Sequence, residues 1–230
     1  SNTSLLGPLV SEALRNVAAV GRLLVPTSGA AGTATAAAET FTISYDAASQ
    51  SYTVSDGVIS RTFAPATADP SQSTATINTY KLTSGTTTEY LSLTIPGSGS
   101  GQTRYVGGAF WQRQTNSAAN VDGQYHAAGY GVMTADSAMP HGGSASFDVQ
   151  LLGVRGFSDQ VYAQNGTGKL YLDFLSGGLA GSGNYTERNA QSGAIANGMG
   201  WQAYALLSSS SNRFSGRISL DSIGTGSFSG

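Results

Sequence analysis

The chain has 230 residues, of which 40% are hydrophobic and only 10% charged, with a net charge of −2 and no cysteine. The absence of cysteine excludes disulfides, thiolate metal sites and cysteine nucleophiles, and 11 Lys and Arg spread singly along the chain offer no basic stripe for nucleic acid. Solubility must come from Ser, Thr, Asn, Gln and Gly, and a composition with 31 Gly and 11 Tyr favours strands and tight turns over helices.

The first predicted element is a helix, in PLVSEALRNVAAVGRLLVP. Pro8 suits a first helical turn, Val10, Leu14, Val17, Val20 and Leu24 recur at three- and four-residue steps, and Pro26 and Gly29 end the pattern. Its apolar stripe of Val10, Leu14, Val17 and Leu24 either packs on the rest of the fold or docks to a lipid surface or a partner. Residues 27–38 (TSGAAGTATAAA) read as a small-residue linker. There is no initiator Met and no signal-peptide pattern, so the chain reads as processed or recombinant. No apolar run approaches the ~18–20 residues of a membrane span, so any tie to a membrane would lie outside this sequence.

From Phe41 the period changes to two. Phe41, Ile43 and Tyr45 share a face, and Tyr52 and Val54 answer them after the DAASQ turn. Asp56-Gly57 leads into VISRTF, and Ser84-Gly85 separates INTYKL from EYLSLTI, as hairpins do. PGSGSGQT (96–103) is the predicted domain boundary. The strands YVGGAFWQRQ and QYHAAGYGVM follow. In SASFDVQLL, Ala145, Phe147, Val149 and Leu151 oppose Ser146, Asp148 and Gln150; in GKLYLDFL, Leu170, Leu172 and Phe174 oppose Lys169, Tyr171 and Asp173. WQAYALL and RFSGRISL repeat the pattern, with Asp122-Gly123, Asn165-Gly166 and Asn197-Gly198 as hairpin turns. Strands with one apolar face at short spacing predict an antiparallel meander, most simply closed into a barrel that hides its edges.

Little in the sequence carries catalytic chemistry. AQNGTGKL lacks the Ser or Thr that would ligate magnesium, and a strand follows it where an anion-binding helix should begin. Ser144, His141 and Asp136 are near in sequence, but no oxyanion hole accompanies them. Asp148 and Asp173 are read as solvated outward carboxylates, an acid–base pair being the alternative. A metal site is not expected. The remaining candidates are Tyr125, His126 and Tyr130 on one strand and Met139 and His141 in the loop after it, a set that offers His, Met and Tyr as axial ligands for heme. Pro140 and Gly142-Gly143 explain that loop as a turn without any ligand.

The succession FTISYDAASQSYTVSDG, EYLSLTIPG, YVGGAFWQR, YGVMTADSAMPHGGSASFDVQLLG, GTGKLYLDF and FSGRISL resembles the transferrin-binding-protein-B-like family of bacterial surface lipoproteins over about residues 40–230. The resemblance implies an all-β chain in which a small β-rich handle (39–103) precedes an eight-stranded antiparallel barrel (104–230), after the N-terminal helix and linker (1–38). It implies export, display on the outer membrane or secretion, and non-enzymatic capture of a nutrient or macromolecular partner, with heme or an iron carrier as the ligand class and an outer-membrane receptor as partner. It also implies a further closing strand after GTGSFSG. Residues 224–230 are therefore expected to pair as a strand, with Phe228 beside an edge that protein covers. An accessory subunit of a surface assembly, joined through that edge or the N-terminal helix, is the alternative.

Overall fold

In the computed structural model, residues 2–37, 40–99, 103–132, 136–208, 211–221 and 223–229 are described, the side chains of 15–21, 36–37 and 229 excepted. The chain is all-β, with 63% of residues in strands and no α-helix among the described residues. The strands are β1 (Glu12–Pro26), β2 (Thr33–Ala37), β3 (Thr42–Asp46), β4 (Ser51–Ser55), β5 (Ser60–Phe63), β6 (Ile77–Ser84), β7 (Thr87–Thr94), β8 (Val106–Asn116) and β9 (Asn120–Gly131). They continue with β10 (Ser144–Phe157), β11 (Gln160–Asp173), β12 (Gly178–Asn189), β13 (Ile195–Leu207), β14 (Phe214–Leu220) and β15 (Gly224–Ser229). They form three antiparallel sheets. Two of these share β1, giving the path β5-β4-β3-β1-β9-β8-β7-β6 with β2 added on β1; the third runs β10 to β15 in order.

The expected N-terminal helix is a strand. β1 pairs with β9 from Arg15↔Gly131 to Pro26↔Asn120, and with β2 from Val20↔Ala37 to Leu24↔Thr33. Thus part of the expected linker is itself sheet. Val17, Val20 and Val25 are β-branched, but Glu12, Ala13, Leu14, Arg15, Ala18, Ala19, Arg22, Leu23 and Leu24 are good helix formers, so local preference agrees with the helix and the pairing with β9, β2 and β3 overrides it. Leu14 is buried in one apolar cluster with Ile43 and Leu91 beside the exposed Ala13, whereas Leu23 is buried in another with Ala127 and Val161 beside the exposed Arg22. The buried side of β1 thus differs between its two ends, so no single alternation marks it as a strand.

By its internal contacts the chain divides into two compact units, residues 1–132 with 152–163 and 189–193, and residues 133–151 with 164–188 and 194–230. In the first, β7 and β8 pair directly across the Gly/Ser-rich segment 96–103. The central strands have two buried faces: Ala109, Trp111, Ala128 and Tyr130 join the cluster of Phe41, Ile43, Val54 and Phe63, and Phe110, Tyr125 and Ala127 turn the other way. Ala68, after β5, makes a single bridge to Tyr80 on β6. The hairpin turns at DAASQ, Asp56-Gly57 and Ser84-Gly85 are present, the last two with glycine at positive φ.

In the second unit the alternation holds for GKLYLDFL: Leu172 is buried and Leu170 and Phe174 are half-buried, while Lys169, Tyr171 and Asp173 are exposed. The sheet is nevertheless an open meander and not a closed barrel, with β10 and β15 at its ends. Residues 224–229 do pair, with β14. The three Asx-Gly dipeptides expected as turns all lie inside strands. Gly166 sits where a Cβ would come 2.5 Å from the Asn184 carbonyl oxygen and 2.6 Å from the Cβ of Tyr185, and a Cβ at Gly123 would come 2.9 Å from the Tyr125 hydroxyl and 3.0 Å from its ring. There glycine serves close approach by a neighbouring strand or an aromatic side chain, not chain reversal. Asn197-Gly198 is a bulge: the β12–β13 register passes from Tyr185↔Met199 to Glu187↔Ala196, and Gly198 takes φ of 79°.

Candidate functional site

Three connections of the second unit meet around a cavity of about 300 Å³: residues 136–141 between β9 and β10, 174–177 between β11 and β12, and Leu207, Ser208 and Ser211 at and after the end of β13. Each is fixed by its own backbone chemistry. The Asp136 carboxylate accepts the Asn212 amide at 2.9 Å, and its carbonyl accepts the Met139 amide at 3.2 Å, which closes a short 3-10 turn. Phe174 donates its amide to the Gly143 carbonyl at 2.9 Å, and Leu207 donates to Gly177 at 2.8 Å, so the three loops are tied together. The Asp173 carboxylate accepts from the Leu175 amide and the Ser176 hydroxyl, both at 2.9 Å, and these bonds hold its carboxyl below the usual range.

The cavity lining joins Met139, His141 and Asp136 to Phe174, Leu175, Leu207 and three serines. Met139 is half-buried, His141 is exposed, and Leu175 is 82% exposed although apolar. The site therefore offers a soft sulfur, an imidazole and an apolar wall. Its partners at 174–177 and at Leu207, Ser208 and Ser211 lie far from His141 in the sequence and carry no motif. The one local signal was an apolar residue, Leu175, set in a turn.

The other candidate ligands belong to the first unit. His126 is 2% exposed, stacked on Trp111 with ring centroids 4.6 Å apart, and its Nε2 lies 3.5 Å from an Asp56 carboxylate oxygen. Next to it the buried Glu89 accepts hydrogen bonds from Arg61 Nε at 2.5 Å and Trp111 Nε1 at 2.9 Å, with Arg113 at 3.6 Å. Tyr130 is 3% exposed, and burial, with the phenols of Tyr52 and Tyr80 nearby, pushes its hydroxyl far up. Tyr125 is half-buried in the other cluster, and burial raises its hydroxyl too. These three are core residues. Among the described residues no cluster of three or more His, Asp or Glu could hold a metal ion.

Of the residues expected at a partner interface, Val10 is exposed, Leu14 is buried, Leu24 is half-buried, and Phe228 is half-buried with its ring 5.5 Å from Phe214. The Val17 side chain lies outside the described residues. Asp148 is paired with Lys169 at 2.7 Å on the exposed face. No helix among the described residues is long and apolar enough to cross a membrane. Comparison with protein-family models, with curated proteins and with solved structures found no match to this chain.

Proposed function

We propose that the chain is a non-enzymatic binding module of the bacterial envelope, exported and held at the outer-membrane surface or secreted. Its task is to capture a small ligand in the cavity of the second unit, for transfer to an outer-membrane receptor. Heme, or a carrier of iron, is the leading ligand class, from the resemblance of its segments to the transferrin-binding-protein-B-like family. The observation that carries the reading is the convergence of Met139 and His141 with Phe174, Leu175 and Leu207 on one cavity.

The donor set fits heme: imidazole and thioether are its common axial ligands, and the apolar wall suits the macrocycle. At about 300 Å³ the cavity lies at the lower end of small-molecule sites, about 300–1,000 Å³, so it would enclose an edge of the ring rather than the whole. When bound, heme would supply the iron and the colour. This chain would supply His141 and Met139 as ligands, Phe174 and Leu207 as packing, and the loop hydrogen bonds that hold them in place. Hemin titration should then raise a Soret band in the wild type that His141→Ala removes, with the melting temperature of the ligand-free protein unchanged. An equal band in His141→Ala would reduce the loop to a turn.

A second reading, an accessory subunit of a surface assembly, is favoured by one feature. β10 and β15 are end strands of an open sheet, and end strands present backbone donors and acceptors that another chain can pair.

A further inference from the structure

The outer face of the β10–β15 sheet carries an exposed aromatic pair that neither the fold nor the cavity uses. Ala180 pairs with Tyr204, Tyr204 with Arg217, and Arg217 with Ser227, so these residues form one row across four strands. The β11–β12 register extends the row. A Cβ at Gly181 would meet Leu170, and one at Gly183 would meet the Gly168 Cα, which sets Tyr171 beside Ala180. Tyr171 is 55% exposed and Tyr204 63% exposed, against 6% for Leu172 and 2% for Ala203 on the opposite face. The tyrosines are thus two strands apart, about 9.6 Å, on one side of a sheet, with only a methyl group between them.

From this arrangement we infer that the face binds an extended, flat, β-linked hexose chain. In such a chain alternate rings turn the same apolar face to one side, and two tyrosines two strands apart would each take one of them. The intervening ring would rest over Ala180, which is too small to obstruct it. Arg217, on the same row, supplies donors for ring hydroxyls, and Ser182, Gln202 and Ser219, all exposed on the next row, add further polar groups.

Size and charge separate this ligand from the alternatives. Two tyrosine rings bring at most about 500 Å² of contact, below the ~800 Å² per partner of a stable protein interface, and apart from Leu206, 67% exposed two residues beyond Tyr204 on the same face, their neighbours are small or polar. Nucleobases also stack on aromatic rings, but such sites need a positive groove. Here Lys169 is paired with Asp148 at 2.7 Å, so Arg217 is a single positive group on the row rather than a positive track.

The test is calorimetric titration of the intact chain with cellohexaose. The wild type should bind, Tyr171→Ala and Tyr204→Ala should each weaken binding about tenfold, near 1.4 kcal/mol, and Tyr204→Phe should keep it. Because both side chains are exposed, all three variants should melt with the wild type. No binding by the wild type, or binding that survives both alanine substitutions, would overturn the inference. Self-association lost in Tyr204→Ala, without sugar binding, would assign the face to a second copy and overturn it equally. The hemin titration is indifferent to these substitutions, so the two readings stand or fall separately.

Discussion

The Asp56 carboxylate accepts hydrogen bonds from the Val58 and Ile59 amides at 2.9 and 2.7 Å, and it faces His126. Burial works to raise its pKa, but the two amides and His126 together outweigh burial and leave it lowered. A carboxyl lowered in the folded state contributes stability that is complete above the unfolded value, about 3.9, and is lost as pH falls through the folded value. The β4–β5 turn should therefore loosen at acid pH below about 4, read by the fluorescence of Trp111, which stacks on His126. Asp56→Asn should be less stable at neutral pH and should lose that acid dependence; an unchanged acid transition in the variant would contradict the assignment. None of this cluster was legible in the sequence. Asp56, Arg61, Glu89, Trp111, Arg113 and His126 come from five segments, and a charge is ordinarily read as solvated unless its buried partner is known. His126 looked like a ligand because its burial could not be seen.

Strand faces were the legible part at the scale of elements. Phe41, Ile43 and Val54 are all buried as their spacing requires, and Tyr45 and Tyr52 pair across their hairpin with rings 4.9 Å apart. Glycine was the misleading part, because Asx-Gly marks a turn only where the chain reverses. In β11 and β12 it marks contact: a Cβ at Gly183 would lie 2.6 Å from Trp201 Nε1 and 2.0 Å from the Thr167 carbonyl, and a Cβ at Gly168 would lie 2.4 Å from Trp201 Cζ2. Trp201, 4% exposed, is thus seated on two facing glycines. Gly183→Ala should overpack this site and cost about 1–3 kcal/mol, measured by urea unfolding, whereas Gly198→Asn should be tolerated better because nothing crowds that bulge. Equal costs for the two would mean that conformation rather than contact decides both positions. β1 is a different case: Leu14 is buried beside the exposed Ala13 and Leu23 beside the exposed Arg22, so the buried side changes parity along the strand and no single alternation identifies it.

For the whole molecule, composition was enough to make the chain all-β, but closure was beyond it. Whether a meander's ends meet depends on twist, tilt and register accumulated over every strand, and no single segment encodes that sum. The cavity has the same origin: Met139 and His141 were visible as residues, yet their company at 174–177 and at Leu207, Ser208 and Ser211 exists only because the β9–β10, β11–β12 and β13–β14 connections meet. The central claim, ligand capture by these loops, is tested most directly by an amide-exchange map of the intact chain with and without hemin. Protection gained in residues 136–143, 174–177 and 207–213, and little elsewhere, is the predicted result. Hemin that leaves those loops unprotected would contradict it, as would protection confined to β10 and β15 that grows with protein concentration alone.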